Sequence, residues 1–434
     1  MKIFYAVQVS NFTTRNGSPR WLLRNDACTN IMIGIVSTTL DLKPDWKFLI
    51  KLPHPNTTED VSSLYELFDK KYHENIEFYV ENVPVSPVTS RFNFDFNYHT
   101  SLIHTEMLSD VDVMINDENT LTKNWRVLFE YLGLDIPIVS TNYFMDSPIS
   151  SKTKNIKSRY YERQMESLIS ADVFSFPVQS ALDEAMEAYD YFFRDRSVLA
   201  KPTVWHVGAY YGEIKKDAVP QDVKNMPISN TVPTVYFGNR ISESANRYTN
   251  WHLFAEAIGR LPKEMAFKAV MLNPTKKCSP EILKEINERS KGRVHVIPND
   301  SDFSREDYRK FINNADITCN LFTNEVHGGL THIEGMMAQN ILVAPAVNDY
   351  KYKFENENIR YPYLIKSTEK EIDMDDFVDK LMLAIYKCKH EDGVRWKETC
   401  RDVAIKYESF ENSALKIIED LEYLYNLKQP KIEA

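Results

Sequence analysis

A short segment near residue 330 brings two glycines, a helix start and an acid together. Gly328 and Gly329 precede a predicted helix, and Glu334 lies inside that helix. Glycines let a backbone approach a ligand closely, and the amino end of a helix attracts phosphate oxygens. A carboxylate in the same helix can accept hydrogen bonds from a ribose diol. This order of residues predicts a seat for a nucleoside diphosphate; the alternative is a tight turn before a solvated helix.

A second segment places two arginines after a predicted strand. Thr234–Phe237 is followed by Gly238, Arg240 and Arg247. A planar guanidinium contacts two phosphate oxygens at once, so it can offset the negative charge that grows on a departing diphosphate. Two solvated surface arginines are the alternative interpretation.

Both segments belong to an alternating series of predicted strands and helices. Strand-like runs such as Lys47–Leu52 and Ile136–Thr141 alternate with helix-like runs such as Asp26–Leu40 and Val61–Tyr72. Alternation of this kind predicts an α/β fold in which helices cover both faces of parallel sheets. We expect two doubly wound, Rossmann-like domains that face each other across a cleft, with ligands outside the carboxyl ends of the strands.

The predicted boundary between the domains is a polar stretch that contains Pro220, Pro227 and Pro233. Prolines and polar residues in such density indicate a linker. The predicted division is 1–214 for the first domain, 215–233 for the linker, 234–406 for the second domain and 407–434 for a helix that returns toward the first domain.

The composition excludes several classes of protein. A chain of 434 residues is too long for one core, and its net charge of −10 argues against a general polyanion binder, although a local basic face is compatible with it. Five cysteines without a C-x-x-C pair indicate a reducing compartment and argue against disulfides or a zinc cluster. The sequence has no apolar run of about 18 residues, so we expect a cytoplasmic protein without a membrane span.

The segment Asp110-Val-Asp112 has the Asp-x-Asp sequence of a metal-binding motif. The pair opens a predicted strand, whereas a ligand site is expected where strands end. We therefore interpret it as a strand edge and predict no catalytic metal.

Polar residues follow two predicted strands of the first half. Asn116 and Asp117 follow one strand, and Asn142 and Asp146 follow the next. Because parallel strands end at the same edge of a sheet, we expect these side chains on the acceptor side of the cleft. Capping of the following helices is the alternative role.

The segment 152–163 carries five basic residues and two tyrosines within twelve positions. Basic side chains such as Lys154, Lys157 and Arg159 neutralise backbone phosphates, and aromatic rings stack on bases. The segment is compatible with nucleic acid as a binding partner and also with a solvated helix face.

The second half of the chain resembles the GT-B glycosyltransferases, most closely the retaining family with an E-x7-E element. Ile333–Ala338 matches that family's Leu-Glu-Ala-Met-Ala segment, and Leu342–Ala344 matches its Val-Val-Ala strand. Glu334 takes the place of the acid that binds the ribose. Glu325 precedes Glu334 by nine positions, where the family usually has eight, which fits a loop with one extra residue.

Three further segments carry the same resemblance, which spans about residues 160–427. The first third of the chain matches the family only in its alternation of strands and helices. Gly238, Arg240 and Arg247 fit the family's Gly-Arg and the basic residue after it. The run Thr331–Glu334 also resembles the phage enzymes that glycosylate hydroxymethylated DNA bases, which have a similar Thr-His-Leu-Glu run.

The resemblance implies transfer of a sugar from a nucleotide sugar, with a UDP-sugar as the expected donor, with retention and without a metal or other cofactor. Its leading implied acceptor is a hydroxymethylated base in double-stranded DNA. Transfer to a bacterial surface glycan or a small molecule stays open. A nucleotide-sugar epimerase and a non-catalytic nucleotide-sugar-binding protein are alternatives of another class.

These considerations give three groups of predicted site residues, and His332 is expected to be packed rather than catalytic. The predicted catalytic residues are Arg240, Arg247, Glu325 and Asp146. The predicted donor-binding residues are Gly238, His327, Gly328, Gly329, Leu330, Thr331 and Glu334. The predicted acceptor-binding residues are Asn116, Asp117, Asn142, Lys154, Lys157 and Arg159.

Overall fold

The structure, a computed structural model, divides into two compact units, Met1–Val207 with Phe410–Ala434 and Gly208–Ser409. The polar stretch predicted as a linker, 215–233, lies almost wholly outside the described residues. The described residues are 1–7, 27–52, 61–80, 105–142, 158–193, 195–206, 208, 232–239, 241, 249–273, 278–298, 305–323, 330–368 and 371–428.

The first unit contains a parallel sheet of seven strands in the order β3-β2-β1-β4-β5-β6-β7. The order changes direction between β1 and β4, which creates a topological switch point at their carboxyl ends. The strands are β1 (Lys2–Ala6), β2 (Lys47–Leu52), β3 (Ile76–Val80), β4 (Val113–Asn116), β5 (Ile138–Thr141), β6 (Val173–Phe176) and β7 (Lys201–Val204).

Helices accompany this sheet because its strands are apolar on both faces. The five residues that follow Lys47 in β2 are all buried, as expected for a parallel strand covered from both sides. The helices of the first unit, numbered in chain order, are α1 (Ala27–Leu42), α2 (Thr105–Leu108), α3 (Thr122–Leu132), α4 (Ser158–Ser170), α5 (Gln179–Phe192) and α13 (Phe410–Lys428).

The helix predicted over Val61–Tyr72 is wrong in type, because the structure has two 3-10 helices there, Val61–Leu67 and Lys70–Asn75. Asp69 separates them, and its side chain accepts a hydrogen bond from the backbone N–H of Lys71 at 3.1 Å. A short acidic side chain that bonds the local backbone competes with a continuous helix.

The second unit contains a sheet of six parallel strands in the order β10-β9-β8-β11-β12-β13. Its switch point lies between β8 and β11. The strands are β8 (Thr234–Phe237), β9 (Lys268–Asn273), β10 (Val294–Pro298), β11 (Ile317–Cys319), β12 (Ile341–Pro345) and β13 (Leu364–Ile365). The helices are α6 (Trp251–Arg260), α7 (Pro280–Ser290), α8 (Arg305–Asn314), α9 (Leu330–Met337), α10 (Asn348–Asn356), α11 (Met374–Lys387) and α12 (Glu391–Glu408).

Local sequence fixes several helix ends in this unit. The Ser279 hydroxyl accepts a hydrogen bond from the Ile282 N–H at 3.3 Å and Pro280 occupies the first turn, so α7 begins there. The Asp373 carboxylate accepts from the N–H groups of Asp375 and Asp376 at 3.1 and 3.0 Å, which caps α11. No helix within the described ranges is long and apolar enough to cross a membrane.

The helix α13 closes the first unit by packing on α1. A Cβ atom at Gly34 would lie 2.3 Å from the ring of Phe410, so only glycine allows this approach. Farther along α13, the buried carboxylate of Asp420 accepts hydrogen bonds from the side chains of Thr203 (2.7 Å) and Trp205 (2.9 Å). The Lys201 ammonium lies 3.0 Å from the same carboxylate.

Burial alone would raise the pKa of Asp420, but the hydrogen bonds from Trp205, Thr203 and Lys201 hold this pKa below the usual value of an aspartate. The carboxylate is therefore charged in the folded state and connects α13 to β7 at the edge of the sheet.

Replacing Asp420 by alanine is expected to lower the free energy of unfolding by about 3 kcal/mol, because three donors lose a buried acceptor. The loss is expected to be full above about pH 4 and to shrink as the pH falls through the depressed pKa of the folded state. Urea denaturation at several pH values measures both effects.

The matched control is Glu419→Ala, which removes the same charge from the neighbouring position on α13, where 65% of the side chain is exposed. This change is expected to cost less than about 0.5 kcal/mol. Equal losses for the two variants would show that the buried contacts of Asp420 do not carry the effect.

Candidate functional site

The carboxyl ends of β8 and β11 adjoin at the switch point of the second unit, where open α/β sheets bind their ligands. Gly238 directly follows β8. A Cβ atom there would lie 1.9 Å from the Tyr236 hydroxyl oxygen and 2.7 Å from the Thr331 methyl carbon. The strand end, the tyrosine hydroxyl and the first turn of α9 therefore meet at a position that only glycine can occupy.

The helix α9 brings two more of the predicted donor-binding residues to this point. Thr331 Oγ1 donates to the carbonyl oxygen of Gly238 at 3.4 Å. Leu330, which begins α9, is partly buried and packs against the core of the second unit. The predicted donor-binding residues Gly238, Leu330 and Thr331 thus lie together at the end of β8.

Glu334 lies one turn farther along α9 and is partly buried. The Tyr308 hydroxyl donates to Glu334 Oε2 at 2.6 Å, and the oxygen of that hydroxyl lies 3.0 Å from the Tyr236 hydroxyl oxygen. Two tyrosines therefore connect Glu334 to the neighbourhood of Gly238. Sequence reasoning missed Tyr308, since a tyrosine in the polar helix α8 gives no local signal of a contact 26 residues away.

The fit of α9 on the sheet depends on a second glycine. A Cβ atom at Gly335 would lie 2.2 Å from Thr318 Oγ1, so glycine replaces the alanine that the family motif has after its glutamate. The Asn340 side chain donates to Thr318 Oγ1 at 3.2 Å and to the Ile312 carbonyl oxygen at 3.1 Å. These contacts hold α9 against β11.

A buried group of charged residues supports α9 from the other side. His332 is fully buried, with Nε2 4.0 Å from Asp349 Oδ2 and its ring 4.9 Å from that of Tyr350, edge to face. The Lys353 ammonium forms ion pairs with both Asp349 and Glu408. His332 is thus a packed core residue beside this group, and the ion pairs of Lys353 join α10 to the end of α12.

Burial sets the protonation behaviour of this network. It raises the pKa of Glu408 to about 7, and Lys353 opposes that rise. Burial would lower the pKa of Lys353, but the two carboxylates raise it above its usual value. The lysine is therefore charged and compensates carboxylates that cannot reach water.

In the first unit, two predicted acceptor-binding residues lie at the carboxyl end of β4: Asn116 is its last residue and Asp117 follows it. Asp117 Oδ1 accepts hydrogen bonds from Tyr5 Oη at 3.1 Å and from Thr141 Oγ1 at 2.9 Å. The Asn116 side chain donates to the Glu118 carbonyl oxygen at 2.8 Å. Both residues are buried, and their hydrogen bonds stabilise the end of β4; their role toward an acceptor stays a prediction.

Asn142 follows β5 and is also buried. Its Nδ2 donates to the carbonyl oxygens of Ser140 and Ser175 at 3.1 and 3.4 Å. Its Oδ1 accepts from Asn119 Nδ2 at 2.6 Å and from Ser167 Oγ at 3.4 Å. Because both ends of the amide bind protein groups, Asn142 joins the ends of β5 and β6, and contact with an acceptor stays a prediction.

Asn142 also lines a shallow pocket at the carboxyl ends of β5, β6 and β7. Phe176, Trp205 and His206 contribute to its wall. The Trp205 indole N–H bonds Asp420, so α13 fixes the orientation of this side chain.

Of the remaining predicted site residues, Arg159 lies within α4. The residues outside the described part of the chain are Asp146, Lys154, Lys157, Arg240, Arg247, Glu325, His327, Gly328 and Gly329.

The acid pair Asp110-Val-Asp112 lies at the amino ends of the strands, away from both sites. Asp112 accepts from the backbone N–H of Lys2 at 2.8 Å, and the Lys2 ammonium lies 2.9 Å from Asp110. The pair thus joins β1 and β4 at their start. Among the described residues, no group of three or more His, Cys, Asp or Glu side chains is arranged to hold a metal ion.

Comparison with solved structures shows the fold of the whole chain. A glycosyltransferase from Rickettsia africae ESF-5 is 14% identical, with a TM-score of 0.64 and coverage of 99% of each chain. Anabaena HepE in complex with UDP-glucose is 14% identical, with a TM-score of 0.63 and coverage of 98% of this chain and 100% of that chain. Sucrose-phosphate synthase from Thermosynechococcus elongatus is 11% identical, with a TM-score of 0.66 and coverage of 99% and 100%.

At these identities the likeness shows the fold alone, which is the α/β fold of GT-B glycosyltransferases, and the fold class expected from the sequence is confirmed. No family model matches the sequence. A search of curated proteins gives no match either.

Replacing Lys353 by methionine is expected to lower the free energy of unfolding by about 3–5 kcal/mol, because Asp349 and Glu408 then remain buried without a counter-charge. Thermal and urea denaturation measure the loss.

Lys351→Met is the matched control, two positions earlier on α10, where 51% of the lysine side chain is exposed. It is expected to change stability by less than about 0.5 kcal/mol. If Lys353→Met were as mild as this control, the ion pairs of Lys353 would not be what stabilises the contact between α10 and the end of α12.

Proposed function

We propose that the protein is a glycosyltransferase that moves a sugar from a UDP-sugar, with retention of configuration, to a hydroxyl group of a hydroxymethylated base in DNA. The observation that carries the proposal is the meeting of Gly238, Thr331 and Glu334 at the carboxyl ends of β8 and β11. It occurs in a fold whose solved neighbours include HepE in complex with UDP-glucose.

Two parts of a UDP-sugar, its ribose and its diphosphate, suit groups at this edge of the sheet. The partly exposed carboxylate of Glu334 suits the hydroxyls of a ribose. The amino end of α9, where Leu330 and Thr331 lie, offers backbone N–H groups and a favourable helix dipole to a diphosphate. In the proposal, Gly328 and Gly329 let the backbone approach that diphosphate, and His327 and Glu325 contact the sugar.

The chemistry follows the retaining members of the family that the sequence resembles. The bond between the anomeric carbon and the diphosphate oxygen breaks while the acceptor oxygen bonds the same face of the sugar. The acceptor proton passes to the departing phosphate oxygen, so no pair of carboxylates is required. Arg240 and Arg247 are proposed to offset the charge of the leaving diphosphate.

The acceptor is assigned to the first unit. Its support is the basic segment 152–163, whose carboxyl-terminal part enters α4, in a chain that is otherwise acidic. Lys154, Lys157 and Arg159 suit the phosphates of a DNA backbone. Asn116, Asp117, Asn142 and Asp146 are proposed to border the modified base. The resemblance of Thr331–Glu334 to phage DNA-base enzymes points to the same acceptor.

The transferase activity is tested by incubating the protein with several sugar nucleotides and hydroxymethylated DNA. The masses of the nucleosides released from that DNA are then measured. A gain of one sugar mass on the hydroxymethylated nucleoside is expected. Glu334→Gln is expected to reduce the rate at limiting donor by about tenfold or more, because a ribose contact is weakened. Glu288→Gln, an exposed acid in the same unit, is the matched control and should retain full activity.

Other outcomes separate the alternatives. Release of nucleoside diphosphate only in the presence of a glycan or small-molecule acceptor would redirect the acceptor assignment. Turnover of the sugar nucleotide without any acceptor would indicate an epimerase or hydrolase. Tight binding without turnover would indicate a binding protein and contradict the proposal.

The DNA assignment has its own test in the salt dependence of binding. Replacing Lys154, Lys157 and Arg159 together by alanine is expected to weaken DNA binding and to reduce the slope of log K against log salt by about 2–3, since each lost phosphate contact removes about 0.9. Fluorescence anisotropy with a labelled duplex measures the slope.

The control replaces three exposed lysines of the second unit by alanine, Lys284, Lys351 and Lys366, so that net charge falls equally. Its slope should match the wild-type slope. A triple basic-segment variant with an unaltered slope would remove DNA from the proposal and leave the donor site untouched.

A further inference from the structure

Glu334 is the end of a chain of three hydroxyl and carboxyl groups that crosses three elements of the second unit. Tyr236 lies on β8, Tyr308 on α8 and Glu334 on α9. The Tyr308 hydroxyl oxygen lies 2.6 Å from Glu334 Oε2 and 3.0 Å from the Tyr236 hydroxyl oxygen. We refer to these three residues as the tyrosine relay.

The direction of the hydrogen bonds in the tyrosine relay is fixed by its carboxylate end. An ionised carboxylate only accepts, so the Tyr308 proton points to Glu334. The Tyr308 oxygen must then accept its second hydrogen bond, and Tyr236 donates it. Burial raises the pKa of both phenols, and the charge of Glu334 raises that of Tyr308 further. Both phenols therefore keep their protons at neutral pH.

The relay also explains the glycine at the end of β8. The Tyr236 hydroxyl extends along its own strand to the place that a Cβ atom of residue 238 would fill, at 1.9 Å. Gly238 is thus required for the position of the Tyr236 hydroxyl as well as for the approach of a ligand. The glycine at 238, the buried Tyr236 phenol and the partly buried Tyr308 phenol thus form one chain of contacts that ends at the Glu334 carboxylate.

The tyrosine relay contacts the Glu334 carboxylate at one of its two oxygens. Oε2 is held by a short, charge-assisted hydrogen bond, which restrains the position and rotation of the carboxylate. Within the described residues, Tyr308 provides the hydrogen bond to this side chain, and the residue retains partial exposure for a ligand. A carboxylate restrained in this way can accept hydrogen bonds from two neighbouring hydroxyls in one geometry, whereas a mobile carboxylate can reorient toward a single hydroxyl.

We infer that Tyr308 is a specificity-determining residue that holds Glu334 in position to bind both hydroxyls of a ribose, so that the protein selects ribonucleotide donors over 2′-deoxyribonucleotides. The inference rests on the proposed function, since it requires a nucleoside diphosphate at this edge of the sheet. It assigns Tyr308 a positioning role: the phenol acts on the ligand through Glu334.

The inference is tested by titration calorimetry with UDP and 2′-deoxy-UDP and, if neither binds, with the ribo and deoxy forms of ADP and GDP. The wild-type protein is expected to bind the ribo form roughly tenfold more tightly than the deoxy form. Tyr308→Phe is expected to reduce this ratio to about two or less by weakening the ribo form, while affinity for the deoxy form stays within about twofold.

Two further variants separate positioning from folding. Tyr386→Phe removes a hydroxyl from an exposed tyrosine of the same unit and should keep the full ratio. Glu334→Gln combined with Tyr308→Phe should show no additional loss over Glu334→Gln alone, because the phenol acts only through the carboxylate. The midpoint of thermal unfolding, measured on each variant, identifies any variant that fails to fold.

The outcomes are distinguishable. A wild-type protein that binds none of the nucleoside diphosphates overturns both the proposed function and this inference. Binding with discrimination that persists in Tyr308→Phe overturns the inference alone. Equal weakening of ribo and deoxy forms in a folded Tyr308→Phe variant also overturns it, since that pattern indicates a general distortion of the site.

Discussion

The structure of the candidate site depends on the close packing of α9 against the carboxyl ends of β8 and β11. Two glycines make this approach possible: Gly238 at the end of β8 and Gly335 within α9, where added Cβ atoms would lie 1.9 and 2.2 Å from their neighbours. A helix this close to the sheet places its first turn and its acid at the switch point. The same proximity allows the Tyr308 phenol of α8, which itself bonds the Tyr236 phenol of β8, to reach the carboxylate.

The opposite side of α9 packs against α10 through His332, next to a buried group of charged residues. His332 turns into the core, and the Lys353 ion pairs extend from α10 to the last residue of α12. A buried lysine between two carboxylates is stable only while every partner is present. Hydrogen bonds of Thr331 and Glu334 hold one side of α9 at the edge of the sheet. The buried His332 side chain holds the other side against α10.

Much of the fold could be predicted from sequence because its signals are local. Apolar strand runs and their alternation with helices indicated both parallel sheets, and the observed bounds of β2, Lys47–Leu52, equal the predicted ones. The helix α10 was missed because its sequence, Asn348–Asn356, is polar and short. The Lys353–Glu408 and Tyr308–Glu334 contacts join residues far apart in sequence, and periodicity gives no information about such contacts. A recognisable motif carries Gly238, Thr331 and Glu334, so the sequence alone predicts them as donor-binding residues. The structure brings Thr331 into contact with Gly238, and the donor-binding role of the three residues stays a prediction.

The most direct measurement is a crystal structure of the protein with UDP bound. We expect the ribose hydroxyl oxygens within about 3 Å of the Glu334 carboxylate, with the Tyr308 hydrogen bond retained. We also expect the diphosphate against the amino end of α9, beside Gly238. A nucleotide seated elsewhere, or at this edge with its ribose turned away from Glu334, would contradict the account.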